Sequence, residues 1–375
     1  MLFHIHDSIK ALAGQENAPE FLVDFTEELF RARRMGRHII FSKPETLDAL
    51  AKLNGLSTRT VQTIKTIRGR LRSKKTLFEK ISTFVRVVAE ENIKKRITEG
   101  QQNILEISAR FLISDISFRE TTLLVENQTD GEFYKIITQI YNNLETPSGS
   151  IRLNLSIFPG GGSQTPRHYD LLKMESRLTL CIVDGDIEFE GSDLGTNTAK
   201  PIKNSDLTTP STFAESLIIH CYSIENLIPP TLIRVVNGLG GIKVPWLKNL
   251  EDLSTSTMWP YLPLKQKKKC SAFRGSSPKS VYWRQYKESF SPTHPICENW
   301  HEDDNCDEPC IVFDGVSSKT LEKVVEYLRN LDSDKMSNEL TTVIKELPAP
   351  VATMWKQVAK GVTSWGCSGQ RLAVV

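Results

Sequence analysis

The chain has 375 residues, 39% of them hydrophobic and 25% charged, with a formal net charge of +2. That length suits two domains or one large decorated one, and the near-balanced charge decides nothing about nucleic acid, because a local patch outweighs the total. No stretch approaches the roughly 20 apolar residues of a membrane span, and the start, "MLFHIHDSIKALAG", lacks the basic and long apolar regions of a signal peptide. With seven cysteines read as reduced thiols or metal ligands, the expectation is a cytoplasmic protein without membrane association.

Residues 1–110 read as a helical N-terminal region. "PEFLVDFTEELFRARRMG" spaces Phe21, Leu22, Phe25, Leu29 and Phe30 near a 3.6 period, with Gly36 as a stop. "KPETLDALAKLNG" has Pro44 near a helix start and Gly55 at its end. A longer helical stretch follows a Ser57 cap; from Arg59 to Lys75 it holds basic residues and no acid. That run is either a solvated helix face or a phosphate-contacting patch.

Residues 111–235 alternate strand and helix. "ETTLLVEN" is a short apolar strand, "DGEFYKIITQIYNNL" a helix, and "SIRLNLSIFPGGGS" a strand broken by glycines. "HYDLLKMES" reads as a short helix, "RLTLCIVDGD" as a strand, and "AESLIIHCYSIENLIPP" as a strand running into a turn. This order predicts a parallel sheet covered by helices on both faces, with its functional crevice beyond the carboxyl ends of the strands. Residues 236–375 read as an α+β extension: a basic loop over 265–279, a Cys/His-rich loop, the strand "CIVFDG", the helix "SSKTLEKVVEYLRNL" and terminal helices.

Acids mark three of the strand ends. Glu126 closes "LLVEN", with Asp130 opening the next helix; Asp184 and Asp186 close "CIVDGD"; Glu225 lies in "CYSIENLIP". Parallel strands put such residues on one sheet edge, where Mg²⁺ or Mn²⁺ could be held by carboxylates, water and substrate phosphate and serve phosphodiester cleavage. Solvated strand ends are the alternative. Glu188 and Glu190 continue the acidic alternation and fall beyond the strand, on a loop.

The segments "TLLVENQTDGEFYKII", "LCIVDGDIEFEGSDLGTNTAKPI" and "HCYSIENLIP" resemble the Toprim domain, and most closely the stand-alone Toprim nucleases of bacterial anti-phage defence related to the overcoming-lysogenization-defect family. The likeness covers about residues 115–235, and Asn127 stands where that family has a glycine. The resemblance implies a Toprim-like parallel sheet and a Mg²⁺-dependent endonuclease cutting DNA or RNA, transfer RNA included, as a toxic effector beside an ABC-type ATPase. It further implies catalytic roles for Glu126, Asp184 and Asp186, and metal ligation by these with Asp130 and Glu225. Lys200 would touch substrate phosphate, or be a plain surface lysine. The chain could also form a homo-oligomer. A reading from another class is a non-catalytic nucleic-acid-binding or regulatory protein that keeps the same core and binds through the 59–75 and 265–279 basic segments.

Cys297, His301, Cys306 and Cys310 form a candidate structural zinc set, although their spacing lacks tight CxxC pairs and reduced cysteines in an acidic loop would look the same. "FPGGGS" lacks GK[ST] and GxGxxG and reads as a crossover rather than a nucleotide cradle.

Overall fold

The structure, a computed structural model, describes residues 1–71, 77–78, 81–145, 151–237, 253–286, 289–290, 311–313, 315–331 and 347–373. Two units divide the chain: residues 1–182, 204–217 and 358–375 in the first, and 183–203 with 218–357 in the second.

The first 110 residues correct the helical expectation, because they build a sheet as well as helices. β1 (Leu2–Ile5), β2 (Ile39–Ser42), β3 (Thr83–Val88), β4 (Lys94–Glu99) and β5 (Gln102–Ser108) form one five-stranded sheet in the order β2-β1-β3-β5-β4. β1 runs parallel to β2 and β3, β3 parallel to β5, and only β4 is antiparallel. The physical reason is that "LFHI", "IIFS" and "TFVRVV" are short runs rich in branched or aromatic side chains, which periodicity alone cannot separate from buried helix segments. Burial on both faces then selects the strand. At the edge, β4 is exposed and carries Lys94, Lys95, Arg96 and Glu99, charges that discourage pairing with another chain.

Helices Glu20–Arg34, Pro44–Leu50 and Thr58–Gly69 lie between these strands. Pro44 occupies the first turn of its helix. The Thr60 amide donates to the Ser57 hydroxyl at 3.3 Å, so the expected cap is present. Residues 72–75 of the basic run lie outside the described residues.

The second sheet matches the alternation read from the sequence. β6 (Thr121–Val125) follows the first sheet, and β7 (Arg152–Leu153), β8 (Leu155–Pro159), β9 (Thr179–Asp184) and β10 (Ala214–Ile219) come after it; the sheet order is β10-β9-β6-β8. β6 is parallel to β8 and to β9, and Leu124 stands opposite Cys181. Helices Gln128–Glu145 and Thr165–Met174 supply the connections. Gly131 lets the first of them close on the sheet, because a Cβ there would lie 2.7 Å from Ile157 Cγ2. The architecture is mixed α/β with mostly parallel sheets flanked by helices.

In the C-terminal third, β11 (Lys268–Lys269) pairs antiparallel with β12 (Ile311–Phe313), and β13 (Cys367–Ser368) returns to pair with β7. Helices Pro278–Arg284, Thr320–Asn330 and Ala349–Gly366 complete this α+β region. No helix among the described residues is long and apolar enough to cross a membrane.

Candidate functional site

In the first unit, β6 is buried along its length and delivers Glu126, half-buried, at its carboxyl end. The Gly160 and Gly161 amides donate to the Val125 and Glu126 carbonyls at 2.6 and 2.9 Å. The three-glycine segment thus fixes the backbone at this strand end instead of forming a phosphate cradle. Asp130 reaches back to accept the Asn127 amide at 3.0 Å, satisfying an otherwise orphaned donor at the start of the Gln128–Glu145 helix. One Asp130 oxygen therefore already has a structural task.

In the second unit, the end of β9 is a built acidic turn. Asp184 Oδ2 accepts the Ile224 amide at 2.7 Å. Gly185 permits close approach of the neighbouring strand, since a Cβ would lie 2.8 Å from the Ile219 carbonyl oxygen. Asp186 has φ +50°, a left-handed conformation that short polar side chains tolerate better than most. Gly195 packs against it; a Cβ there would lie 2.4 Å from Asp186 Cβ and 2.5 Å from its Oδ2. Burial by such neighbours raises the Asp186 carboxyl above its ordinary value, with Glu188 adding to the rise and Lys265 opposing it.

Glu225 occupies a 3₁₀ turn (Ile224–Leu227) and is 1% exposed. Its Oε1 pairs with Lys265 Nζ at 2.9 Å, while its Oε2 is buried without a hydrogen-bond partner among the described residues. The buried Cys221 thiol is pushed up first by burial and then by Asp184, Glu225 and Asp186, so the three acids flank one sulfur. Asn226, fully buried, ties this turn down. Its Oδ1 accepts the Ser223 amide at 2.9 Å, and its Nδ2 donates to the Trp259 and Leu262 carbonyls at 2.7 and 3.0 Å.

No family model, curated protein or solved structure matches the chain. Function has to be read from its own side chains.

The donor set is chemically suited to a hard divalent cation: carboxylate oxygens, one of them, on Glu225, buried and without a hydrogen-bond partner among the described residues, with Lys265 as a nearby positive charge. Among the described residues, no three His, Cys, Asp or Glu side chains are already grouped to hold an ion. Mg²⁺ needs only one or two protein carboxylates, with water and phosphate completing its coordination, and Asp184 and Asp186 are the residues that could supply them. Lys200 pairs with Asp193 at 3.6 Å and is half exposed, an arrangement of an ordinary surface lysine. Glu188 pairs with Lys279 at 2.7 Å. The zinc candidates Cys297, His301, Cys306 and Cys310 lie outside the described residues.

Lys265 is the site residue that the sequence alone did not single out. Its signal was present in "LPLKQKKKC", but within a run of lysines nothing distinguishes the one that turns toward a buried glutamate.

Proposed function

We propose that the chain is a Mg²⁺- or Mn²⁺-dependent nuclease of the Toprim kind, with Asp184 and Asp186 as the cation-holding pair and Glu126 as the catalytic carboxylate. The observation that carries the reading is the acidic turn at the end of β9. There Asp184 is oriented by a backbone amide, and Asp186 is held in a left-handed conformation against Gly195. Unusual backbone at a charged turn is a recurrent mark of functional sites. A second support is the parallel pairing of β6 with β9, since parallel α/β sheets bind ligands beyond the carboxyl ends of their strands.

When bound, a divalent cation would polarise the scissile phosphate and stabilise the leaving oxygen. The chain's own groups do the rest. The Ile224 amide holds the Asp184 carboxylate in one orientation at the end of β9. Lys265 partly neutralises the acids and, with Glu225, keeps the turn assembled before substrate arrives. Glu126, half-buried at its strand end, would accept a proton from attacking water. A toxic role in phage defence beside an ABC-type ATPase follows from the resemblance alone and belongs to the same proposal.

The purified protein, incubated with end-labelled DNA and RNA pools, is expected to cut at least one pool with Mg²⁺ or Mn²⁺ and neither in EDTA. Salt-sensitive binding of either pool with no cleavage under any metal would favour a non-catalytic nucleic-acid-binding protein instead.

A further inference from the structure

A cavity of about 310 Å³ in the second unit is lined, among the described residues, by Lys267, Lys268, Lys269 and Lys279 against one carboxylate, Glu188. That volume falls at the lower end of small-molecule sites. Lys268, on β11, is 5% exposed, and its Nζ lies 3.2 Å from the centroid of the Trp283 ring. Glu188 is already engaged by Lys279 at 2.7 Å. Among the described residues, no carboxylate lies within ion-pairing distance of Lys268; its neighbours are the Trp283 and Phe273 rings. Indole faces attract cations, yet a buried ammonium without an anion is an expensive group to keep. Such a group becomes useful when an anion enters.

The walls narrow the choice of anion. Several ammonium groups around one small space suit a dianion with several acceptor oxygens, and a phosphate monoester carries about −1.5 to −2 at neutral pH on three such oxygens. Gln266 and Ser271 add polar contacts to the same wall. Tyr222 and Tyr261 add aromatic surface, and burial raises both hydroxyls so that they stay neutral beside an anion. Aromatic faces next to a phosphate-binding group favour a ligand that carries a base.

We propose that this pocket binds a phosphate monoester joined to a nucleobase, either as a free nucleotide or as the phosphorylated end of a strand. The pocket adjoins the acidic turn through Tyr222, whose hydroxyl is raised by burial and then by Glu188 and Asp186, but its ammonium groups belong to other residues and binding there requires no metal. Burial, then Lys279, lowers the Lys268 ammonium to about 7, with Glu188 opposing. Anion binding favours the charged lysine, so affinity is full below about pH 7 and falls above it. Below about pH 6 the phosphate itself loses charge. Binding should therefore be tightest between those limits.

Calorimetric titration in EDTA tests this with four probes: adenosine 5′-monophosphate, adenosine, and one short single strand with and without a 5′-phosphate. At least one phosphorylated probe is expected to bind, its unphosphorylated counterpart at least tenfold more weakly. Binding of the mononucleotide alone identifies a free nucleotide, and binding of the strand alone a phosphorylated end. Lys268→Met and Lys279→Gln are each expected to weaken binding at least tenfold. The second change lies on a half-exposed side chain and keeps the test valid if the first disturbs folding. The proposal is overturned if neither phosphorylated probe binds, if the unphosphorylated probes bind equally well, or if Lys279→Gln binds like the wild type. Because no metal is present, a negative result here leaves the nuclease reading untouched, and the reverse also holds.

Discussion

Asn226→Ala is expected to lower the stability of the protein by about 3–5 kcal/mol, read as a shift in the denaturant midpoint at unchanged slope. Asn226 is fully buried and its side chain makes three hydrogen bonds, all to backbone groups: the Ser223 amide and the Trp259 and Leu262 carbonyls. Alanine would strand each of these partners away from water, at about 1–3 kcal/mol per group with incomplete additivity. Trp259 is also buried and donates its indole N–H to the Asn226 carbonyl at 2.7 Å, so loosening the turn disturbs a large core side chain as well. The Ile224 amide that orients Asp184 belongs to the same turn. Any metal-dependent cleavage should fall along with stability. A loss below about 1 kcal/mol would mean that water or rearrangement satisfies these groups, and that the turn is not the anchor described above.

Asp186→Asn is expected to separate function from stability. Losing partners behind metal ligands already costs about 10–100-fold, so removing a direct ligand should reduce cleavage by more than about 100-fold. The metal-free fold should not weaken. Asparagine tolerates the left-handed conformation at φ +50°, and the substitution removes a carboxylate that burial disfavours in its charged form. The sign of the pH dependence follows from that rise. A carboxyl whose folded value exceeds its unfolded value binds protons more readily in the folded state. It therefore costs stability above the folded value, and that cost disappears as pH falls below the unfolded value near 3.9. Melting curves from pH 3 to 7 should show the Asn variant losing that dependence, with a neutral-pH midpoint equal to or above the wild type. A marked drop at neutral pH would identify Asp186 as a structural group.

The second sheet was legible because its signals were redundant: apolar strands of five or six residues, helices of clear period, and polar breaks between them. The N-terminal strands were not. Leu2–Ile5 and Ile39–Ser42 have four residues each, too few for a period to show, and Thr83–Val88 is continuous with flanking segments that read as helix. Non-local closure was equally hidden, since nothing in "SWGCSG" announces that Cys367 will pair with Leu153. At the site, the acids were visible by type and position. Invisible were the groups that shape the turn: Gly195 against Asp186, Asn226 beneath it, and Lys265 on Glu225. Each acts through a contact made only after folding.

The most direct measurement compares wild type with Glu126→Ala on labelled DNA and RNA pools in Mg²⁺ or Mn²⁺, at matched melting temperatures. Glu126 follows a fully buried strand and is itself half-buried, so its truncation should leave the fold intact. Cleavage by the wild type that needs the metal and disappears in Glu126→Ala is the expected result. Undiminished cleavage by a folded Glu126→Ala protein would contradict a catalytic site at the ends of these strands.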